Sequence, residues 1–230
     1  MDVMILCGGY GTRMGAVTGR IPKPMVPVGG QPLLWHVMQI YARQGHTRFL
    51  LCVGHLGERI RDWARAHAPS DWEVVLVDTG ADTPTGGRLL AASEHLRGPR
   101  CMATYGDGVA DLDLSALLAF HTRQGTHATL SAMHPRSRFG VVELAGGKVQ
   151  AFDEKPLLRQ RVSGGFFVFE REAFAQMRGD EALELGALSR LAAQGQLSGY
   201  EHDGFWMSVD TPRDLQALNA SWDQGERPWL

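Results

Sequence analysis

Glycines crowd into the stretch Cys7-Gly8-Gly9-Tyr10-Gly11-Thr12-Arg13, directly after a short apolar run, and nine residues past that arginine stands Pro22-Lys23-Pro24-Met25. Glycines at the end of a parallel strand let the backbone come close to a phosphate and turn N–H groups toward it. Arg13 and Lys23 would add charge to such a cradle. The dinucleotide fingerprint G-x-G-x-x-G is not met, because Met14 stands where its third glycine belongs, and the Gly-Lys-Ser/Thr end of a Walker loop is missing too. A second apolar run leads into Gly106-Asp107-Gly108, which places Asp107 at the carboxyl end of a strand, where open α/β sheets bind ligands. The chain has 23 cationic side chains, and only Lys23, Lys148 and Lys155 among them are lysine. Where arginine fills nearly every cationic position, a remaining lysine draws attention to chemistry that needs a compact, mobile ammonium.

These residues need a frame to hold them. Short apolar runs at 3–7, 49–53, 74–77 and 102–105 read as strands, and helical patterns at 33–43, 56–66, 88–96 and 114–124 alternate with them. That alternation predicts βαβ units in a Rossmann-like α/β fold, a mostly parallel or mixed sheet with helices on both faces. Strand-like segments at 128–133, 140–144, 149–152, 165–169 and 200–202 then crowd together as a mixed-sheet extension on the same core. Thr211, Pro212 and Asp214 announce a last helix by cap, first-turn proline and capping acid. Asp113 reads as the cap of the helix from Leu114, Asp111 as a solvated turn residue. With no linker or repeat, residues 1–230 form one domain.

Composition narrows the classes. The formal net charge is -2, which argues against a dedicated nucleic-acid or membrane-surface binder, since either needs a basic excess. No apolar run reaches the roughly 18 residues of a membrane span. The start, Met1-Asp2, enters a strand-like segment without a signal-peptide pattern, so a cytoplasmic protein is expected. Cys7, Cys52 and Cys101 are odd in number and each sits in an apolar run, the pattern of buried thiols rather than disulfides or a zinc site.

The joint pattern G-G-x-G-T-R followed by P-K-P-M resembles the sugar-1-phosphate nucleotidyltransferases. Further blocks extend the resemblance over nearly the whole chain: Val77-Asp78-Thr79-Gly80, Thr85-Gly86-Gly87-Arg88, Thr104-Tyr105-Gly106-Asp107-Gly108, Arg138-Phe139-Gly140, Glu154-Lys155-Pro156, Gly164-Gly165-Phe166 and Gly204-Phe205-Trp206 leading to Asp210-Thr211. Within the family these blocks most resemble the members that join CTP and α-D-glucose 1-phosphate into CDP-glucose and pyrophosphate. The resemblance implies a nucleotide site from Leu6, Cys7, Gly8, Gly9, Gly11, Thr12, Arg13 and Lys23, with Thr85, Gly86, Gly87, Arg88 and Gly106. It implies Mg²⁺ on Asp107 and Asp210, and catalytic roles for Arg13, Lys23, Asp107 and Lys155. The acceptor pocket would comprise Tyr105, Gly140, Glu154, Lys155, Ser163, Gly164 and Trp206. A homo-oligomer is implied as well.

Two departures leave substrates open: Ser163 stands where relatives usually have Asn, and the connection Ala68–Trp72 is short. GTP, ATP or dTTP, or a heptose, octose or non-sugar phosphate, remain alternatives, as does a catalytically silent nucleotide-sugar-binding regulator.

Overall fold

The computed structural model describes residues 1–17, 19 and 21–230. In chain order the elements are β1 (Asp2–Leu6), β2 (Pro27–Val28), β3 (Gln31–Pro32), α1 (Leu33–Ala42), β4 (Arg48–Val53), α2 (Gly57–His67), β5 (Glu73–Asp78), α3 (Thr85–Ala92), β6 (Arg100–Tyr105), β7 (Gly108–Ala110) and α4 (Leu114–Gln124). There follow β8 (Ala128–Met133), β9 (Val141–Ala145), β10 (Lys148–Asp153), β11 (Val162–Glu170), α5 (Ala187–Ala193), β12 (Leu197–His202), β13 (Trp206–Ser208) and α6 (Pro212–Asp223).

Seven strands make the central sheet in the order β12-β8-β11-β6-β1-β4-β5. All neighbouring pairs are parallel except the two made by β11, which runs antiparallel to both β6 and β8. The expected α/β architecture is therefore present. Alternate side chains of β1 explain why these strands read as unbroken apolar runs: Val3 and Ile5 join one core with α1, α2 and α4, while Met4 and Leu6 join the other with α3 and α5. A strand buried on both faces has no polar side to show. All three cysteines are free and buried in these cores. Burial pushes the Cys52 thiol up to about 12 and raises Cys7 and Cys101 too, which leaves them inert as nucleophiles.

Topology fixes where the site falls. The chain moves outward from β1 to β4 and β5, then returns to place β6 on the other side of β1. A ligand crevice opens at such a reversal, beyond the carboxyl ends of the strands. Leu6 at the end of β1 pairs in register with Tyr105 at the end of β6, so the glycine-rich turn and the Gly106-Asp107 turn leave the sheet at one level. The Gly106 N–H donates to the Leu6 carbonyl at 3.1 Å and holds the two turns together.

The last helix has the expected capping box, with Thr211 and Asp214 bonding reciprocally. Asp113 caps α4 through the Ala116 N–H at 2.9 Å. Asp111 is more than a solvated turn residue, since His202 Nε2 lies 2.7 Å from its carboxylate. The helix read from Arg88 begins three residues earlier, at Thr85. Gly86 and Gly87 are poor helix formers, but α3 packs so tightly here that a Cβ on Gly87 would lie 2.2 Å from the Gly179 carbonyl oxygen. Tertiary contact outweighs propensity at this turn.

Candidate functional site

A cavity of about 480 Å³ sits at the strand reversal. Leu6, Cys7, Gly8, Gly9, Gly11, Arg13 and Lys23 line it from the first turn, Thr85 and Arg88 from α3, and Tyr105, Gly106 and Asp107 from the end of β6. Thr12 opens the 3-10 turn Thr12–Val17 beside that wall. Gly86 and Gly87 face the 179–183 segment, and their missing side chains have a packing reason there.

Lys23 is the centre of the arrangement. The short 3-10 turn Lys23–Met25, set by Pro22 and Pro24, buries its side chain. Its Nζ donates to Asp107 Oδ2 at 2.6 Å and to Asp210 Oδ1 at 2.9 Å. Two carboxylates 103 positions apart in sequence are thus gathered on one cation. Arg13 Nη2 approaches Asp210 Oδ1 at 3.1 Å, and Arg138 Nη2 lies 3.7 Å from the other oxygen. Burial acts to raise the Asp210 pKa, but the Lys23 bond and the charges of Lys23 and Arg13 outweigh it and hold this carboxyl below the ordinary value. Asp210 is therefore ionised near neutrality. Two such oxygen donors around one cation position suit Mg²⁺, which takes one or two carboxylates and completes its shell with phosphates and water. Among the described residues no group of three or more His, Cys, Asp or Glu could hold a metal by itself.

Arg88 does something the sequence reading did not foresee. Its guanidinium is buried and, among the described residues, has no carboxylate partner; Nη1 donates to the carbonyls of Val53 and Gly80 and to Thr79 Oγ1, Nη2 to the carbonyls of Gly8 and Ala81. One side chain ties the glycine-rich turn, the end of β4 and the 79–81 turn together. A Cβ on Gly8 would lie 2.0 Å from Nη1, so the glycine is required by this arginine as well as by any phosphate.

Two further parts of the wall were missed. Glu184 enters from the second half of the chain and accepts from Thr85 Oγ1 at 3.0 Å and from the Tyr105 hydroxyl. Burial, then the Glu184 charge, raises the Tyr105 pKa far above its ordinary value, so the phenol stays protonated. Tyr10 donates to Asp82 at 2.7 Å, linking the glycine-rich turn to the segment before α3. Both contacts join residues more than seventy positions apart, a distance at which local pattern carries no signal.

The acceptor-side residues lie elsewhere. Lys155 follows the β9–β10 hairpin and pairs with its neighbour Glu154, Nζ to Oε1 2.7 Å. Its φ of 51° is left-handed, uncommon for a residue with a Cβ. Gly140 lies under the Phe152 ring, which a Cβ would meet at 2.4 Å. Gly164 accepts from Trp206 Nε1 at 2.9 Å, while Ser163 is exposed on β11. Of the seven residues expected to meet the acceptor, Tyr105 alone lies on the cavity wall.

Comparison with known proteins agrees with this geometry. The family model for nucleotidyl transferases matches residues 2–224. The glucose-1-phosphate cytidylyltransferase of Salmonella typhimurium is 38% identical, over all of this chain and 98% of that protein. The mannose-1-phosphate guanyltransferase beta-A of Xenopus laevis is 26% identical over 94% of this chain and 62% of its own length. The crystal structure of HddC from Yersinia pseudotuberculosis shares the fold, with a TM-score of 0.75 at 21% identity, covering 96% of this chain and 99% of that one. A glycine-rich turn, a buried lysine and two convergent carboxylates at the strand reversal thus stand in a chain that, on these matches, belongs to the sugar-1-phosphate nucleotidyltransferase family and makes nucleotide sugars from a nucleoside triphosphate and a sugar 1-phosphate.

Proposed function

We propose that the enzyme transfers the cytidylyl group of CTP to α-D-glucose 1-phosphate, giving CDP-glucose and pyrophosphate. The observation that carries the reading is the junction of Lys23 with Asp107 and Asp210 at the mouth of the glycine-lined cavity. The choice of CTP and glucose 1-phosphate is supported by the name of the 38% identical relative, which aligns over this whole chain.

The chemistry is an in-line displacement. A phosphate oxygen of the acceptor forms a bond to the α-phosphorus of CTP as the bond to the bridging oxygen breaks, and pyrophosphate leaves with that electron pair. No covalent enzyme intermediate is needed, so the protein's work is alignment and charge neutralisation. Arg13 and Lys23 would hold the triphosphate, Lys155 the acceptor phosphate, and Glu154 the sugar hydroxyls. Asp107 and Asp210 would hold Mg²⁺, which when bound neutralises triphosphate charge. Residues 1–125 would serve mainly the nucleotide and 126–230 the sugar phosphate, with Glu184 crossing between them. A cytoplasmic setting belongs to the same proposal; among the described residues no helix is long and apolar enough to cross a membrane. The homo-oligomer implied by the resemblance is proposed with it, and sedimentation of the purified protein tests that part.

Pyrophosphate release from CTP, GTP, ATP and dTTP, each against glucose 1-phosphate, mannose 1-phosphate and a heptose 1-phosphate, tests the assignment. CTP with glucose 1-phosphate should turn over fastest. Faster turnover of any other pair overturns the substrate assignment, and silence on all pairs overturns the reaction.

A further inference from the structure

The Lys23 ammonium occupies the point on which Asp107 and Asp210 converge, with a side chain only 10% exposed. Asp107 Oδ2 and Asp210 Oδ1 both accept from it, and Ser208 Oγ donates to the second oxygen of Asp210 at 3.2 Å. Arg13 and Arg138 flank Asp210 as well, so three cations face two carboxylates. Asp214, the next acid along, has one carboxylate oxygen engaged by the backbone of Asp210 and by Thr211 in the cap of α6. A divalent ion arriving alone meets a carboxylate pair already neutralised, from which it must evict a buried ammonium that, among the described residues, has no other carboxylate in ion-pair reach. A triphosphate changes the balance, because its oxygens offer Lys23 a new partner while they supply the ion with ligands.

We propose that Lys23 is a built-in cation which keeps the Asp107–Asp210 pair closed to a bare divalent ion, so that metal enters only together with a triphosphate that draws the ammonium away. This rests on the metal assignment in the proposed function and adds a sequence of events to it. Lys23 is then a coupling residue as well as a phosphate ligand: metal and nucleotide each raise the other's affinity, by the reciprocity that any linkage obeys. A lysine suits that task better than an arginine, since its compact ammonium on a flexible stem can leave one set of oxygens for another without breaking a planar fork.

Binding of Mn²⁺, followed by the loss of its free electron paramagnetic resonance signal, tests this without turnover. Wild-type protein is compared with Lys23→Met and Lys23→Gln, each checked for native circular dichroism, in the absence of any nucleotide. Both variants should bind Mn²⁺ tighter than the wild type by about tenfold or more, the scale of a typical coupling. Adding CTP should tighten Mn²⁺ binding to the wild-type protein far more than to the variants. Equal Mn²⁺ affinity of wild type and variants without CTP overturns the proposal. The metal assignment is read separately and without CTP, from Asp107→Asn and Asp210→Asn each combined with Lys23→Met. If these lose protein-bound Mn²⁺ while the Lys23 variants bind no tighter than wild type, the coupling alone is wrong. If they retain it, the carboxylate pair is not the metal site and the coupling falls with it.

Discussion

The nucleotide cavity and the hairpin arm that carries Lys155 are built on opposite plans. Around the cavity, one buried arginine gives hydrogen bonds to five acceptors at the end of β4 and in the turns following β1 and β5, and one buried lysine joins acids from two distant turns. In the arm every residue of β9 is exposed, Phe139 and Phe152 are more than half exposed, and Lys155 is held by the carboxylate next to it in sequence. The base of the arm is closed by a few backbone bonds, such as Ser137 N–H to Pro156 O at 2.8 Å and Leu158 N–H to Pro135 O at 2.9 Å. On the proposed reading, the nucleotide end of the reaction is preorganised by contacts that also stabilise the fold. The other presents its cation on a surface element whose loss the core would barely register.

The largest effect that separates the two plans should come from Lys23→Ala and Asp107→Asn. Removing a preorganised charge from a phosphoryl-transfer site lowers kcat by about a hundred- to a thousandfold, and pyrophosphate release reads this directly. Near-normal release from either variant would dissolve the distinction, because the lysine would then be a structural ion pair only. Arg88→Met comes next. It leaves four carbonyls and a hydroxyl short of a donor, a loss of about 3 kcal/mol in unfolding free energy by denaturant titration, with weaker CTP binding by calorimetry because the glycine-rich turn loses its tie to β4. An Arg88 variant with wild-type stability would show that the ties are redundant.

How much of this was legible in the chain depends on distance along it. The parallel strands and their helices announce themselves because both faces of the sheet are buried, so 49–53 is wholly apolar and 102–105 nearly so, with Thr104 its one buried polar side chain. The caps at Asp113 and Thr211 are local chemistry over three residues, and they hold. The three-residue strands β7 and β13 escaped because each is too short to show a period, and their pairing spans about a hundred positions. The seven-residue helix α5 escaped for the same reason. In the site, Lys23 and Asp107 drew attention by type and place, but that they meet depends on where the β6 turn lies against β1. Arg88 reads as a ligand residue; four of the five acceptors its side chain holds are backbone carbonyls, which have no sequence identity to read. Glu184 and Asp82 carry ordinary surface charges in the linear chain and acquire a partner through the fold alone.

Lys155→Ala sharpens the contrast from the other side. It should raise KM for the acceptor phosphate by about tenfold, as loss of a hydrogen bond to a charged group would, and leave KM for CTP unchanged. Stability should stay within about 0.5 kcal/mol of wild type, since the exposed ion pair with Glu154 contributes little. An equal rise in both Michaelis constants would mean that the arm and the cavity act as one unit.

The smallest expected effect is a pH dependence of stability, to which His36 contributes together with His46 and His121, whose pKa values burial also lowers. His36 is buried, with Nε2 2.9 Å from the Val28 carbonyl and Nδ1 3.2 Å from the donating indole N–H of Trp229. Those partners require the neutral ring with its proton on Nε2; a second proton on Nδ1 would face another N–H. Burial lowers the pKa, partly offset by the Val28 bond, and the charge of Arg227 lowers it further. The unfolded chain, with the ordinary value near 6.5, therefore binds more protons than the folded one as pH falls through that region, and stability drops with it. Because Val28 closes the β2–β3 turn that follows Lys23-Pro24-Met25, acidification from pH 7.5 to 5.5 should lower the thermal midpoint by less than Arg88→Met does, and His36→Gln should reduce that dependence. The arm itself, residues 139–155, contains no histidine; the part-buried His134 at its base lies 2.8 Å from the Leu158 carbonyl. Limited proteolysis across the same pH range should therefore cut the arm at an unchanged rate while cleavage near residues 26–32 accelerates, and acceleration in the arm instead would remove the contrast between the two regions.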